Sequence, residues 1–106
     1  MVTEISPGEF VARRDAGDDL LLLDVREPHE LARARLPGIV HIPLGELPDR
    51  LGELDPDREI VVMCRSGARS LQVARFLESR GYARVHNLTG GILRWTRDID
   101  PSLPPC

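Results

Sequence analysis

The sequence predicts an α/β fold in which a parallel sheet is covered by helices on both faces. Three observations carry this. Two short apolar runs, Leu20 to Leu23 and Ile60 to Cys64, are bounded by charge in the manner of strands buried on both sides. Amphipathic segments with helix start and stop signals alternate with the strand-like ones. At 106 residues the chain is long enough for one core and too short for two.

The elements follow in order. A short opening strand leads to Ser6-Pro7-Gly8-Glu9, a capping box with proline at the first helical position, so a helix runs from Pro7 to about Ala16 and stops at Gly17. Leu20 to Leu23, continuing into Asp24 and Val25, is expected to be a central strand. Glu27-Pro28-His29-Glu30 starts a short helix that ends before Pro37-Gly38, because the residue preceding proline resists the helical region. Ile39 to Ile42 reads as a brief strand. Leucines at 44, 47, 51 and 54 then share one helical face, although Pro48 interrupts it. Glu59 to Met63 is the second buried strand, with Cys64 at its end. Leu71, Val73, Ala74, Phe76 and Leu77 mark an amphipathic helix beginning near Arg69 or Ser70 and closed by Gly81. Tyr82 to Asn87 supplies a last strand, Gly90-Gly91 a turn, and Ile92 to about Asp98 a final helix. A domain over 1–100 with a proline-rich tail over 101–106 is the expected organisation.

Composition narrows the function. Hydrophobic residues are 42% and charged residues 29%, so the chain is an ordinary globular domain rather than a disordered one. A net charge of −3 gives no global field for nucleic acid or an anionic membrane. Sign is unevenly spread: residues 1–59 carry seven arginines against 14 acids, and 60–106 carry seven against three. The second half is therefore the anion-seeking half. No apolar run exceeds the five residues Ile60 to Cys64, far short of the roughly 20 a membrane helix needs. The start does not read as a secretory signal, and a cytoplasmic location with reduced thiols is expected. Cys64 and Cys106 are too few and too unlike each other for a disulfide framework. His29, His41, His86 and Cys64 lack metal-ligand spacing, so no metal is expected, and with no nucleotide-binding glycine motif in the chain no organic cofactor is expected either.

Chemistry concentrates in Cys64-Arg65-Ser66-Gly67-Ala68-Arg69-Ser70. A cysteine at the carboxyl end of a parallel strand stands where open α/β sheets place ligands. Small residues follow it, and Gly67 can take a positive φ, so successive N–H groups can curl inward as an anion-binding nest around the sulfur. The start of the next helix adds its positive end, and Arg65 and Arg69 add charges that no acid within the loop neutralises. Each effect favours thiolate. Such a cradle serves phosphoryl transfer or sulfur transfer. The usual cysteine-phosphatase loop has five residues between Cys and Arg, whereas four separate Cys64 from Arg69 and Ser70 follows. The smaller ring suits one sulfur atom better than a phosphate. A small-anion phosphatase or arsenate reductase and a non-catalytic binding module are the competing readings.

At these residues the sequence resembles the rhodanese-like domains over nearly its whole length. Asp24-Val25-Arg26-Glu27, then Glu30, Leu36-Pro37-Gly38 and Ile42-Pro43, are similar to the family's early motifs. Cys64 to Ser70 is similar to its active-site loop, and Gly90-Gly91-Ile92 to Trp95 to its late Gly-Gly element. Ala34-Arg35 stands where the family often has Gly-His. The resemblance implies a three-layer α/β/α fold with a five-stranded parallel sheet. It implies a sulfurtransferase in which Cys64 accepts a sulfane sulfur from thiosulfate or a protein persulfide, with Arg65, Ser66, Gly67, Ala68, Arg69 and Ser70 as its cradle. Asp24 and Arg26 are expected to fix strand ends through an ion pair or turn hydrogen bond, and Phe76 and Trp95 to belong to the core. Asp98 to Pro104 resembles the ending of sulfurtransferase domains that follow adenylyltransferases, which makes a sulfur carrier protein an expected acceptor. Cys106 departs from such tails and is either a mobile thiol or a resolving one.

Overall fold

In the computed structural model, which describes residues 1–104, five strands form one parallel sheet in the order β1-β5-β4-β2-β3. The strands are β1 (Thr3–Ile5), β2 (Leu20–Asp24), β3 (Ile39–His41), β4 (Glu59–Met63) and β5 (Val85–Leu88). The helices are α1 (Pro7–Asp15), α2 (Pro28–Arg33), α3 (Ala68–Ser79) and α4 (Gly91–Asp98). A 3₁₀ helix spans Leu44–Glu53.

The continuous apolar runs resolve into two faces. Leu21, Leu23, Ile60 and Val62 point to one side, where Val73, Ala74 and Leu77 of α3, Leu47 of the 3₁₀ helix and Leu54 just after it cover them. Their neighbours Leu22, Val61 and Met63 point to the other, against Phe10 of α1 and Ile92 and Trp95 of α4. Side chains alternate along a strand, so a run apolar at every position needs cover on both faces. That requirement is the three-layer architecture. Trp95 lies in the second cluster with its ring centroid 5.7 Å from that of Phe10, and Leu103 packs against the same cluster.

Two elements differ from expectation for local reasons. The last strand begins at Val85 rather than Tyr82, because Tyr82 belongs to the helical layer. Its hydroxyl donates toward the carbonyls of Leu51 and Leu54 at 3.2 and 3.0 Å. The leucine-rich segment winds as 3₁₀ rather than α: Pro48 has no N–H to give and its ring opposes an α turn, while the 3₁₀ spacing still buries Leu47.

The amino end of the sheet is tied by charge. Arg13 of α1 donates twice to Glu59, at 2.7 Å each, and His86 of β5 meets the same carboxylate at 2.6 Å. The Arg13 guanidinium holds Glu59 down to about 2 against the upward push of burial, with His86 adding to the downward pull. A carboxylate depressed on folding contributes stability that is complete above its unfolded value, near 4.5, and is lost as pH falls toward 2. We therefore expect Glu59→Gln to cost roughly 1–2 kcal/mol near neutral pH, with the gap to the parent closing as pH drops from about 5 to about 2. Thermal melts of both proteins across that range check this; a gap independent of pH would contradict it.

Candidate active site

Parallel strands bring their carboxyl ends to one edge, and there β4 hands over to α3 through Cys64-Arg65-Ser66-Gly67. The turn is tight enough that Gly67 takes φ 107°, a conformation open to glycine; the space beside it is ordinary, so the dihedral and not crowding demands the residue. The Gly67 N–H then donates to Cys64 Sγ at 3.0 Å, and the Ser70 hydroxyl lies 3.3 Å from the same atom. Cys64 is only 1% exposed. Burial pushes its thiol up; the Ser70 hydroxyl and the amides of Ser70, Gly67 and Ser66 pull the other way and prevail, leaving it below the ordinary thiol value. Donors of the protein, rather than water, are what favour the ionised form of this sulfur.

What aims those amides is the start of α4. The N–H groups of Ile92 and Leu93 donate to the carbonyls of Cys64 and Arg65 at 2.9 and 3.1 Å. In a trans peptide the C=O and N–H point oppositely, so anchoring the Arg65 carbonyl outward turns the Ser66 N–H inward to the sulfur. This contact requires Gly91: a Cβ there would sit 2.4 Å from the Cys64 oxygen and 2.5 Å from the Arg65 oxygen. Asn87 of β5 is the second support. It is buried, its Nδ2 donates to the Gly67 carbonyl at 3.2 Å and to Glu4 of β1 at 3.1 Å, and its Oδ1 lies 2.5 Å from the Ser70 hydroxyl. The sequence reads Gly91 as part of a turn and Asn87 as a strand end. The adjacent glycines before a helix were the available signal for the first; nothing in the sequence marked the second.

The loop arginines divide. Arg69 does not present an unneutralised charge: Glu30 of α2 takes its guanidinium in two bonds of 2.7 and 2.9 Å. Arg69 in turn holds Glu30 down to about 2, against burial. The acid that compensates Arg69 lies outside the loop and 39 residues away, and only folding brings it in. Arg65 is exposed and lines a cavity of about 240 Å³ with His29, Glu30 and Arg33. Ser66 and Ala68 are exposed on the turn.

Asp24 and Arg26 stand behind the site as an ion pair with 0% exposure on each side and a 2.8 Å bond between them. Arg26 also donates to the Ala34 carbonyl at 2.9 Å, and its own carbonyl meets His41 Nε2 at 2.7 Å. The pair thereby fixes the turn that carries α2 and Glu30 to the loop. Phe76 is half-buried in an apolar groove with Leu44, Leu47 and Val73, while Trp95 is core. Cys106 lies outside the described residues. Among the described residues no three His, Cys, Asp or Glu side chains gather as a metal site, and no helix is long and apolar enough to cross a membrane.

Comparison with known proteins agrees with this geometry. The rhodanese-like domain pattern matches residues 6–98. A sulfurtransferase of Allochromatium vinosum is 41% identical over 105 residues, covering 99% of this chain and 98% of that protein. The thiosulfate sulfurtransferase GlpE of Stutzerimonas stutzeri is 33% identical over 91 residues, covering 86% and 82%. The crystal structure of a rhodanese-like domain protein from Staphylococcus aureus superposes with a TM-score of 0.85 at 26% identity, over 99% of each chain. With its five-stranded parallel sheet, its cysteine in a ring of amides and its match from residue 6 to residue 98, the chain belongs to the rhodanese-like domain family.

Proposed function

We propose that this protein is a sulfurtransferase of the thiosulfate type in which Cys64 carries the sulfur. The observation that supports it most is the placement of one buried sulfur among amide donors of Ser66, Gly67 and Ser70, an environment built to hold a negative sulfur and little else. Cys64 thiolate attacks the outer sulfur of thiosulfate. A new S–S bond forms, the original S–S bond breaks, and its electron pair leaves with sulfite. The Cys64 persulfide keeps one negative charge on its terminal sulfur beneath the same donors. An acceptor thiolate, or cyanide in an assay, then takes that terminal sulfur and returns Cys64 as thiolate. Atoms and charge balance without a metal or an organic cofactor.

The cavity beside the loop suits an anionic donor. His29, Arg33 and Arg65 bring basic side chains to its wall, and Glu30, its one acid, is already engaged by Arg69. Arg65, exposed on that wall, is the loop arginine we assign to steering, and Arg69, paired with Glu30, to holding the loop against α2. The resemblance of residues 98–104 to domains that follow adenylyltransferases supports a sulfur carrier protein as one acceptor, beside a low-molecular-weight thiol. A cytosol rich in reduced thiols fits this chemistry.

Incubation with thiosulfate is expected to add the mass of one sulfur atom at Cys64, and thiocyanate to form when cyanide follows. Cys64→Ser should abolish both while the thermal melt stays near that of the parent. Retained turnover in that variant, or brisk release from p-nitrophenyl phosphate with no thiocyanate, would overturn the assignment. Gly91→Ala should lower kcat by on the order of 10²-fold, since displacing the loop carbonyls misaims an amide donor. Gly38→Ala is the control: φ there is also positive, at 72°, but nothing lies within 4 Å, so stability should fall without a loss of kcat.

A further inference from the structure

The Ser70 hydroxyl has two neighbours and one proton. It lies 2.5 Å from Asn87 Oδ1 and 3.3 Å from Cys64 Sγ. The amide of Asn87 cannot be turned round to relieve this, because both hydrogens of its Nδ2 are taken, one by the Gly67 carbonyl and one by the Glu4 carboxylate. The atom facing Ser70 is therefore an acceptor only. When the hydroxyl donates to Asn87, its oxygen is left to accept from a Cys64 S–H. When it donates to the sulfur, two oxygens face each other at hydrogen-bond distance with no proton between them.

Resting on the sulfurtransferase reading of Cys64, we propose that Asn87 is a positioning residue that competes with the sulfur for the single proton of Ser70 and so sets its position through the catalytic cycle. With Cys64 as thiolate, the hydroxyl turns to the sulfur at the expense of its bond to Asn87. Once the persulfide has formed, negative charge moves out to the terminal sulfur, Cys64 Sγ becomes neutral, and the hydroxyl returns to Asn87. No bond to carbon or sulfur is made or broken in this step; an O–H group rotates. The consequence is a thiolate that is less stabilised than its donors alone would make it, and so a better attacking group and a product state that is correspondingly favoured.

The charged groups that bear on these two side chains are identifiable. Glu4 reaches Asn87 from β1, Arg65 and Arg69 belong to the loop, and Glu30 and Glu27 stand behind Arg69 from α2 and its start. From β2 the closed Asp24–Arg26 pair faces the turn, and from α4 Arg94 is paired with Asp98.

The test is the pH dependence of iodoacetamide alkylation, read at the Cys64 peptide by mass so that Cys106 does not contribute. Asn87→Leu removes the competing acceptor with a side chain of similar size. The alkylation midpoint is expected to fall by about one pH unit, a tenfold change in thiolate fraction at fixed pH. In a Ser70→Ala background, where no proton is contested, the same substitution should give no fall, only whatever rise follows from losing the Asn87 bond to the Gly67 carbonyl. A purely structural Asn87, whose loss loosens the Gly67 carbonyl, gives a rise in both backgrounds; a rise, no change, or an equal fall in both overturns the proposal. Should Asn87→Leu not fold by far-ultraviolet circular dichroism, Ser70→Ala alone decides. A rise below about one pH unit supports competition for the proton, and a larger rise means an uncontested donor and overturns it. The alkylation readout is independent of sulfur transfer, so failure here leaves the thiosulfate assay to judge the reaction itself.

Discussion

A buried sulfur must be given donors in place of water, and most of the architecture around Cys64 follows from that need. A thiol 1% exposed would ordinarily resist ionisation, because a charge moved out of water loses its hydration. Here the loss is offset by the Ser70 hydroxyl and by the peptide N–H groups of Ser70, Gly67 and Ser66, the latter part of the backbone and so without side-chain ordering to lose. Donors of this kind work only if they are aimed, and aiming them is a property of distant segments. The Arg65 carbonyl is held by α4, the Gly67 carbonyl by Asn87, and the loop as a whole by the Glu30 contact to Arg69.

The sheet topology explains why these segments meet. In the order β1-β5-β4-β2-β3, β4 lies at the centre with β5 on one side and β2 on the other. The chain leaving β2 carries α2 to one flank of the loop after β4. The chain leaving β5 carries Gly90-Gly91 and α4 to the other flank. Since all strands run in parallel, their exits share one edge, and the site is assembled from three exits rather than from one loop. Gly91 is the point of closest approach, where a methyl group would strike two carbonyls at once.

Charge is distributed to serve the same end. The excess of arginine in residues 60–106 predicts an anion-seeking half, but much of it is spent within the fold. Arg69 is held by Glu30, Arg94 and Arg97 by Asp98, and Arg84 by the Asp57 carbonyl. The cavity beside the loop is lined by Arg65 from this half, together with His29, Glu30 and Arg33 from the first half. The fully buried Asp24–Arg26 pair is a different device. Opposite charges with no exposure are stable only when closed on each other, and closing them fixes the turn from which Glu30 reaches across.

Much of this was legible in the residues. Local signals marked the capping box at Ser6, the helix stop at Gly81, the two double-faced strands and the cysteine loop, because capping, turn chemistry and apolar runs act over a few neighbouring positions. Tyr82 and the 44–54 segment misled for the complementary reason: a hydroxyl that seeks carbonyls 28 and 31 residues away, and a proline that tightens a helix, both answer to packing. The sequence by itself determined the fold class, the order of its elements and the position of the cysteine loop, all of which rest on short-range pattern. Only the tertiary structure decided which amides face that sulfur, that Arg69 is neutralised and that Asn87 and Gly91 support the loop. The contacts that support the loop join positions from 17 residues apart, Ser70 to Asn87, to 83 apart, Asn87 to Glu4, and no local pattern encodes a distance through space.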